Sequence, residues 1–162
     1  MRPWLTLPLL LLLASASFAQ TRIDAGIAIG SQSYEQSSLS PRVLTSPDVL
    51  LVRGTYGLHA ALDYADLAEV GHLFATHVDL VYRRAIGNGF VLLAGAGPTF
   101  IQAGDISSDW AANAELEIGR QWSQAELFAR VRYYDFKAEG FREGASPKGP
   151  ALYLGMRFKV SG

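Results

Sequence analysis

Between Trp110 and Phe136 the chain reads WAANAELEIGRQWSQAELFARVRYYDF, and apolar and polar positions alternate along it. Trp110, Ala112, Ala114, Leu116 and Ile118 share one parity, while Asn113, Glu115 and Glu117 take the other. After Gly119-Arg120-Gln121-Trp122-Ser123 the alternation resumes, with Leu127, Ala129, Val131 and Tyr133 against Glu126, Arg130 and Arg132. Successive side chains of a strand point to opposite faces of a sheet, so this period of two predicts a hairpin. One face is apolar and ends in aromatics; the other carries full charges.

The same period organises the rest of the chain. A first strand runs from Arg22 to Gly30, with Ile23, Ala25, Ile27 and Ile29 opposite Asp24, Gly26, Ala28 and Gly30. Ser31 to Pro47 is rich in Ser and reads as a long loop. Asp48–Arg53 is a second, short strand, Gly54–Tyr56 a turn and Gly57–Asp66 a third strand. Leu50, Val52, Tyr56, Leu58, Ala60, Leu62 and Tyr64 keep one parity, so a single long strand is the alternative there. A short connection at Leu67–Gly71 leads to a fourth strand, His72–Arg83. Arg84–Gly89 contains Asn-Gly, a pair that accepts positive φ, and reads as a tight turn. Phe90–Gln102 is a fifth strand whose Gly95, Gly97 and Thr99 suit a crowded wall, and Ala103–Asp109 a loop. After the hairpin come a polar loop, Lys137–Gly149, and an eighth strand, Ala151–Val160.

The first twenty residues do not follow this pattern. Arg2 precedes an apolar run from Leu5 to Leu13, and Ser17 and Ala19 occupy the small-residue positions of a cleavage site. Residues 1–19 are therefore expected to be a cleaved signal peptide, because the run falls short of the roughly 20 residues a spanning helix needs. The domain proper is then residues 20–162, which retains 13 of the 14 Lys and Arg residues against 15 Asp and Glu. That near balance gives no electrostatic reason to expect nucleic acid. The absence of cysteine excludes disulfides and thiolate metal sites. No later stretch is long and apolar enough for a membrane helix, so any membrane crossing must be made by a closed barrel.

Eight strands without helices give an all-β fold, an antiparallel up-and-down barrel, in one of two senses. A lipocalin-like soluble barrel would turn the apolar face inward; a transmembrane barrel would turn it outward. The outward sense is favoured by three features. The apolar faces end in Tyr56, Tyr64, Tyr82, Trp110 and Tyr133, as interfacial girdles do; the other face is rich in Gly and Ala, which fit a narrow lumen; and short turns alternate with longer polar loops. The eight strands, the GNGF turn, LLAGAGPTF and ELEIGRQWSQAELFARVRYYDF together resemble the OmpA/OmpX-like superfamily of small outer-membrane β-barrels. The resemblance covers most of the chain and implies an architecture, a bacterial outer-membrane location, and contact with outer-membrane lipid and the barrel-assembly machinery. One departure concerns assembly: family members usually end on an aromatic residue, whereas here Phe158 is followed by Lys159-Val160-Ser161-Gly162.

In the outward sense one set of charges faces the lumen: Asp24, Asp63, Asp79, Glu115, Glu117, Glu126, Arg130, Arg132, Arg157 and Lys159. Ionised groups in a narrow lumen need partners, so these predict an interior ion network that fills the barrel. A narrow channel for small solutes or hydrophobic molecules is the alternative. If Tyr64 pairs with His72, then His59 lies opposite His77 with Asp79 one step along, and two imidazoles and a carboxylate can hold a divalent ion. The plainer reading makes all three members of the polar interior, with no cofactor. A lipid A-modifying enzyme needs a Ser and a His within hydrogen-bond reach. The candidates at the rim are His72, Ser107, Ser108, Asp109 and Ser146, and no spacing pairs them. The GxG at Gly95–Gly97 precedes no helix and is not a phosphate loop. The expected role is thus structural or interactive, not enzymatic, with loops 31–47 and 137–149 offered to an extracellular partner.

Overall fold

A computed structural model of the protein describes residues 21–32, 42–67, 71–103, 107–135 and 149–161. The expected signal peptide, residues 137–148 of the second long loop, and Ser146 lie outside the described residues. Eight strands close into an antiparallel barrel: β1 (Arg22–Gln32), β2 (Arg42–Arg53), β3 (Tyr56–Leu67), β4 (Gly71–Gly87), β5 (Phe90–Ala103), β6 (Ser107–Gln121), β7 (Ala125–Asp135) and β8 (Gly149–Ser161). Each strand pairs with its sequence neighbours, and β1 pairs with β8 to close the ring. Closure leaves no unpaired edge, the condition for crossing a bilayer with strands.

The outer wall is apolar. Ile27, Ile29, Leu58, Leu80, Leu116, Ile118, Leu152 and Leu154 all stand exposed, Leu154 at 68 %. An aqueous surface of this kind would be an aggregation site; inside hydrocarbon it is the complementary surface. Tyr56 and Tyr82 mark one end of this belt, and Phe74, Trp110 and Tyr133 the other. Trp110 and Arg120 are ten positions apart on β6, about 34 Å of extended strand and about 25 Å of height at the usual tilt, which matches the apolar band of such barrels.

Three short turns gather at one end with the first and last described residues, Thr21 and Ser161. Gly54-Thr55 joins β2 to β3 with Gly54 at φ +66°, and Asn88-Gly89 joins β4 to β5 with φ of +52° and +79°. Positive φ at both central residues is what a type I′ hairpin requires, which explains the Asn-Gly. The turn expected over Arg84–Gly89 is therefore only two residues, because Arg84, Ala85 and Gly87 remain paired with β5 across a bulge. The other four connections, 33–41, 68–70, 104–106 and 136–148, leave from the opposite end.

Other expected boundaries move in the same direction, toward longer strands. Nearly half of the expected 31–47 loop is strand: β1 continues through Gln32 and β2 begins at Arg42. There Leu44, Ser46 and Asp48 face inward while Val43, Thr45 and Pro47 face outward, so a segment holding Thr, Ser and Pro satisfies a strand's alternation. The 103–109 loop contracts similarly, since Ser107, Ser108 and Asp109 pair with Ala103, Gln102 and Ile101. Nor do β2 and β3 form one long strand. The two-residue turn reverses the faces, so that Leu50 and Val52 are buried in the lumen while Leu58 and Ala60 face out.

That reversal makes the interior less uniformly polar than its sequence pattern suggests. Leu44, Ala65, Leu73, Ala75, Ile101, Ala151 and Tyr153, toward the loop end, form an apolar cluster that extends down to Ala28 and Phe128 at the level of the charges. Leu50, Val52, Val81 and Leu93 form a second cluster toward the turns. The ionic layer lies between. Small residues let the walls approach: a Cβ on Gly97 would meet the Val78 carbonyl at 2.1 Å.

Candidate functional site

Each lumen-facing charge is set by the period of its strand. β6 turns Asn113, Glu115 and Glu117 inward, β7 Glu126, Arg130 and Arg132, β8 Arg157, β3 His59 and Asp63, and β4 His77 and Asp79. β2 adds Asp48, which sequence reasoning placed at a strand start without assigning it a role; the register opposes it to Gly26 and Ala61.

Asp48 is a hub of the network. It accepts from Arg157 Nε at 3.1 Å and Arg157 Nη2 at 3.0 Å, from Arg130, and stands 3.2 Å from His59 Nε2. Arg157 also grips Glu117, with Nη1 to Oε1 at 2.5 Å and Nη2 to Oε2 at 2.8 Å, while Arg130 Nε donates to Glu117 at 3.0 Å. The two guanidinium planes lie over Phe128 at 4.1 Å for Arg157 and 4.8 Å for Arg130. Carboxylates at their nitrogens and an aromatic face above stabilise both cations, with Arg130 Nη1 left without a hydrogen-bond partner among the described residues.

A second group sits toward the loop end. Arg132 Nη2 donates to Glu115 at 2.6 Å, and Glu115 Oε1 is 2.7 Å from His59 Nδ1. Asp63 accepts from the Tyr153 hydroxyl at 2.5 Å and faces His77 Nε2 at 3.0 Å. His77 Nδ1 meets the Thr99 hydroxyl at 2.8 Å, and Asn113 Nδ2 donates to Thr99 and to Asp79, each at 2.8 Å. A third, smaller group lies at the turn end: Arg22 with Asp24 at 2.8 Å, and Arg83 with Glu126 at 2.5 Å and Gln121 at 3.2 Å. Neither Arg22 nor Arg83 is in the network expected from the sequence, although Arg83 shares the parity of His77 and Asp79. Lys159, expected in the network, is half-buried opposite Asp24, but Asp24 takes Arg22 as its ion partner.

The expected metal geometry does not form. His59 is opposite Asp79, and His77 is opposite Ala61, because the hairpin pairs Tyr64 with Phe74 and not with His72. His77 is drawn to Asp63 and Thr99 instead. His59 Nδ1, an Asp79 oxygen and a Glu115 oxygen do lie within 4.8 Å of one another. Arg132 Nη2 is already among them, at 3.5 Å from His59 Nδ1, 3.6 Å from Asp79 and 2.6 Å from Glu115. A guanidinium thus stands where a metal ion would.

The rim candidates for hydrolytic chemistry are not gathered either. His72 is exposed on the outer wall, its Nδ1 2.8 Å from the Tyr64 hydroxyl and its ring stacked on Tyr64. Ser107, Ser108 and Asp109 belong to the first residues of β6, separated from β4 by β5.

No protein-family model matches the chain, and neither does any curated protein. Solved structures do. OprG, an outer membrane protein of Pseudomonas aeruginosa, superposes with a TM-score of 0.61 at 11 % identity, covering 89 % of this chain and 97 % of that one. The fold is that of the small outer-membrane barrels. Neisserial surface protein A (NspA) gives 0.57 at 11 % identity over 87 % of this chain and 97 % of its own. The N-terminal barrel domain of Pseudomonas aeruginosa OprF gives 0.56 at 17 % identity, over 87 % and 100 %. With identity this low, the shared property is the barrel.

Proposed function

We propose that the protein is a small barrel of the bacterial outer membrane, with a closed lumen and a structural or surface-interaction role at its loop end. The observation that carries this reading is the inversion of the two walls: exposed aliphatics outside, and Arg130, Arg132 and Arg157 at no more than 1 % exposure inside. Buried charges on this scale are tolerated only when paired, and the pairing here fills the lumen between two apolar clusters. Such an interior obstructs ions and solutes. Outer-membrane lipid then surrounds the belt, the barrel-assembly machinery inserts it, and the residues left to meet an extracellular partner are those of the connections 33–41 and 136–148. These leave from β1–β2 and β7–β8, and because β1 pairs with β8 their bases are adjacent.

Heat-modifiable migration of membrane-extracted protein is the first test; recovery in the soluble periplasmic fraction would sink the membrane reading. In planar bilayers the barrel should carry no steady current, and sustained conductance would replace the plug with a channel. Expression should leave the mass of lipid A unchanged, a mass shift being the mark of an enzyme. Epitope tags in 33–41 and 136–148 should be detected on intact cells; detection only after permeabilisation would remove the basis for an extracellular partner.

A further inference from the structure

The exterior charges are divided between the two ends. Arg53, Arg84 and Arg120 stand exposed on the outer wall near the turn ends of β2, β4 and β6. The carboxylates near that end, Asp24, Glu117 and Glu126, all face the lumen and are at most 1 % exposed. Among the described side chains, the exposed carboxylate is Asp66, and it lies at the loop end beside His72. Among the described side chains, the turn end thus presents outward cations with no outward carboxylate beside them.

These cations sit in an interfacial setting. Arg120 lies over the rings of Phe90 at 5.6 Å and Trp122 at 5.8 Å. Arg53 is paired with Tyr56, which packs edge-on against Tyr82 at 5.7 Å. The Arg120 guanidinium thus lies on aromatic surface, and Arg53 and Arg84 stand exposed at the same rim, the setting in which a long basic side chain can reach the headgroups. The rim that carries them is held in place. The Arg83 amide donates to the Thr55 carbonyl at 2.7 Å, Gln121 to Gly89 at 2.7 Å, and Lys159 to Gln124 at 2.9 Å, so each turn is tied to a neighbouring strand.

Building on the membrane reading above, we infer that the turn-end girdle of Arg53, Arg84 and Arg120 is a contact surface for the phosphates of anionic phospholipid headgroups. A guanidinium matches a phosphate in charge and in its forked geometry. A basic side chain near an anionic bilayer surface changes partitioning by about fivefold. Three such residues spread over alternate strands would concentrate anionic lipid around this end of the barrel and fix its depth.

The two tryptophans of the barrel, Trp110 near the loop end and Trp122 at the turn end, allow each end to be read separately. The full chain carrying Trp4→Phe and Trp110→Phe is folded into phosphatidylcholine vesicles containing a minor fraction of brominated phosphatidylglycerol. Quenching of Trp122 should report at least a threefold enrichment of the anionic lipid over its bulk fraction. The converse chain, with Trp4→Phe and Trp122→Phe, should report none at Trp110. Arg53→Gln with Arg84→Gln, which spares the Arg120 stack, should remove most of the enrichment, and adding Arg120→Gln should remove the rest. Equal quenching at the two ends, or enrichment that survives the triple variant, overturns the inference. So does stronger competition by inorganic phosphate than by chloride at equal ionic strength, since the girdle would then hold a soluble anion. Failure to fold into any vesicle would instead overturn the membrane reading, so the two failures are distinct.

Discussion

Leu116 and Glu117 are consecutive residues of β6, yet they live in opposite solvents. Leu116 is 54 % exposed on the outer wall, while Glu117 is 1 % exposed and held by two arginines. In a water-soluble sheet each would be on the wrong side. The difference teaches that burial carries no fixed sign here: the outer wall is stabilised by staying apolar, and the lumen by pairing its fully buried charges. The two walls should therefore respond oppositely to the same kind of substitution.

The largest effect is expected inside. Arg157→Leu removes one of the two guanidinium groups that bridge Asp48 and Glu117 and should cost about 3–5 kcal/mol, the range for a broken buried pair. Neutralising Glu117 in the same chain, by Glu117→Gln, should recover part of the loss. Unfolding by guanidinium chloride in lipid vesicles measures the cycle, and strict additivity would remove the network from the account. On the outer wall the insertion of charge, not its loss, is the damaging change. Leu154→Arg, next to Ile29 and Ala129 in the middle of the belt, should cost about 2–4 kcal/mol. Leu127→Arg should cost only about 0–1 kcal/mol, because Leu127 pairs with Arg120 near the interface. Equal costs at the two sites would mean that the belt is misplaced along the barrel axis.

This contrast was partly visible in the sequence. The alternation in 110–136 identifies β6 and β7 and assigns Glu115, Glu117, Glu126, Arg130 and Arg132 to one wall, because a period of two is a local signal. Asp48 was not visible as a hub, since its inward direction depends on the face reversal at Gly54-Thr55. Register was hidden for a related reason: a shift of two residues in β3–β4 preserves every face and still exchanges Asp79 for His77 opposite His59. The strand content of 42–47 was masked by Ser and Pro, which read as turn formers when isolated but fit a strand whose lumen side accepts small polar groups. The apolar clusters around Leu73 and Leu93 could not be read as luminal, because an aliphatic residue fits the lipid pattern equally well.

Packing against the inner wall gives an intermediate test. Gly97→Ala would place a Cβ 2.1 Å from the Val78 carbonyl and 2.7 Å from an Asp79 carboxylate oxygen. The backbone must shift to admit it, at about 1–3 kcal/mol, the usual range for overpacking. Ala114→Gly on the facing outer wall, opposite Ala96, removes only a methyl group exposed to lipid. If the two changes cost the same in vesicle unfolding, the inner wall is not crowded at β5.

The smallest effect uses one residue type to compare the regions. His59 and His77 are fully buried among carboxylates, whereas His72 lies on the outer wall with 59 % of its side chain exposed. Its contacts are the Tyr64 ring and hydroxyl, and Asp66 at 3.7 Å. Each of these partners can turn to solvent or to lipid headgroups when the imidazole is removed, so no group is left stranded. His72→Ala should therefore change unfolding stability by no more than about 0.5 kcal/mol, as surface substitutions do. His59→Ala is the matched interior change. It leaves the Nε2 side of Asp48 and the Nδ1 side of Glu115 facing a cavity, and a buried polar group that loses a partner costs about 1–3 kcal/mol. A loss at His72 as large as that at His59 would mean the Tyr64–His72 stack carries weight in the barrel that its exposure does not suggest. The division into a tolerant exterior rim and an intolerant lumen would then fail at this strand.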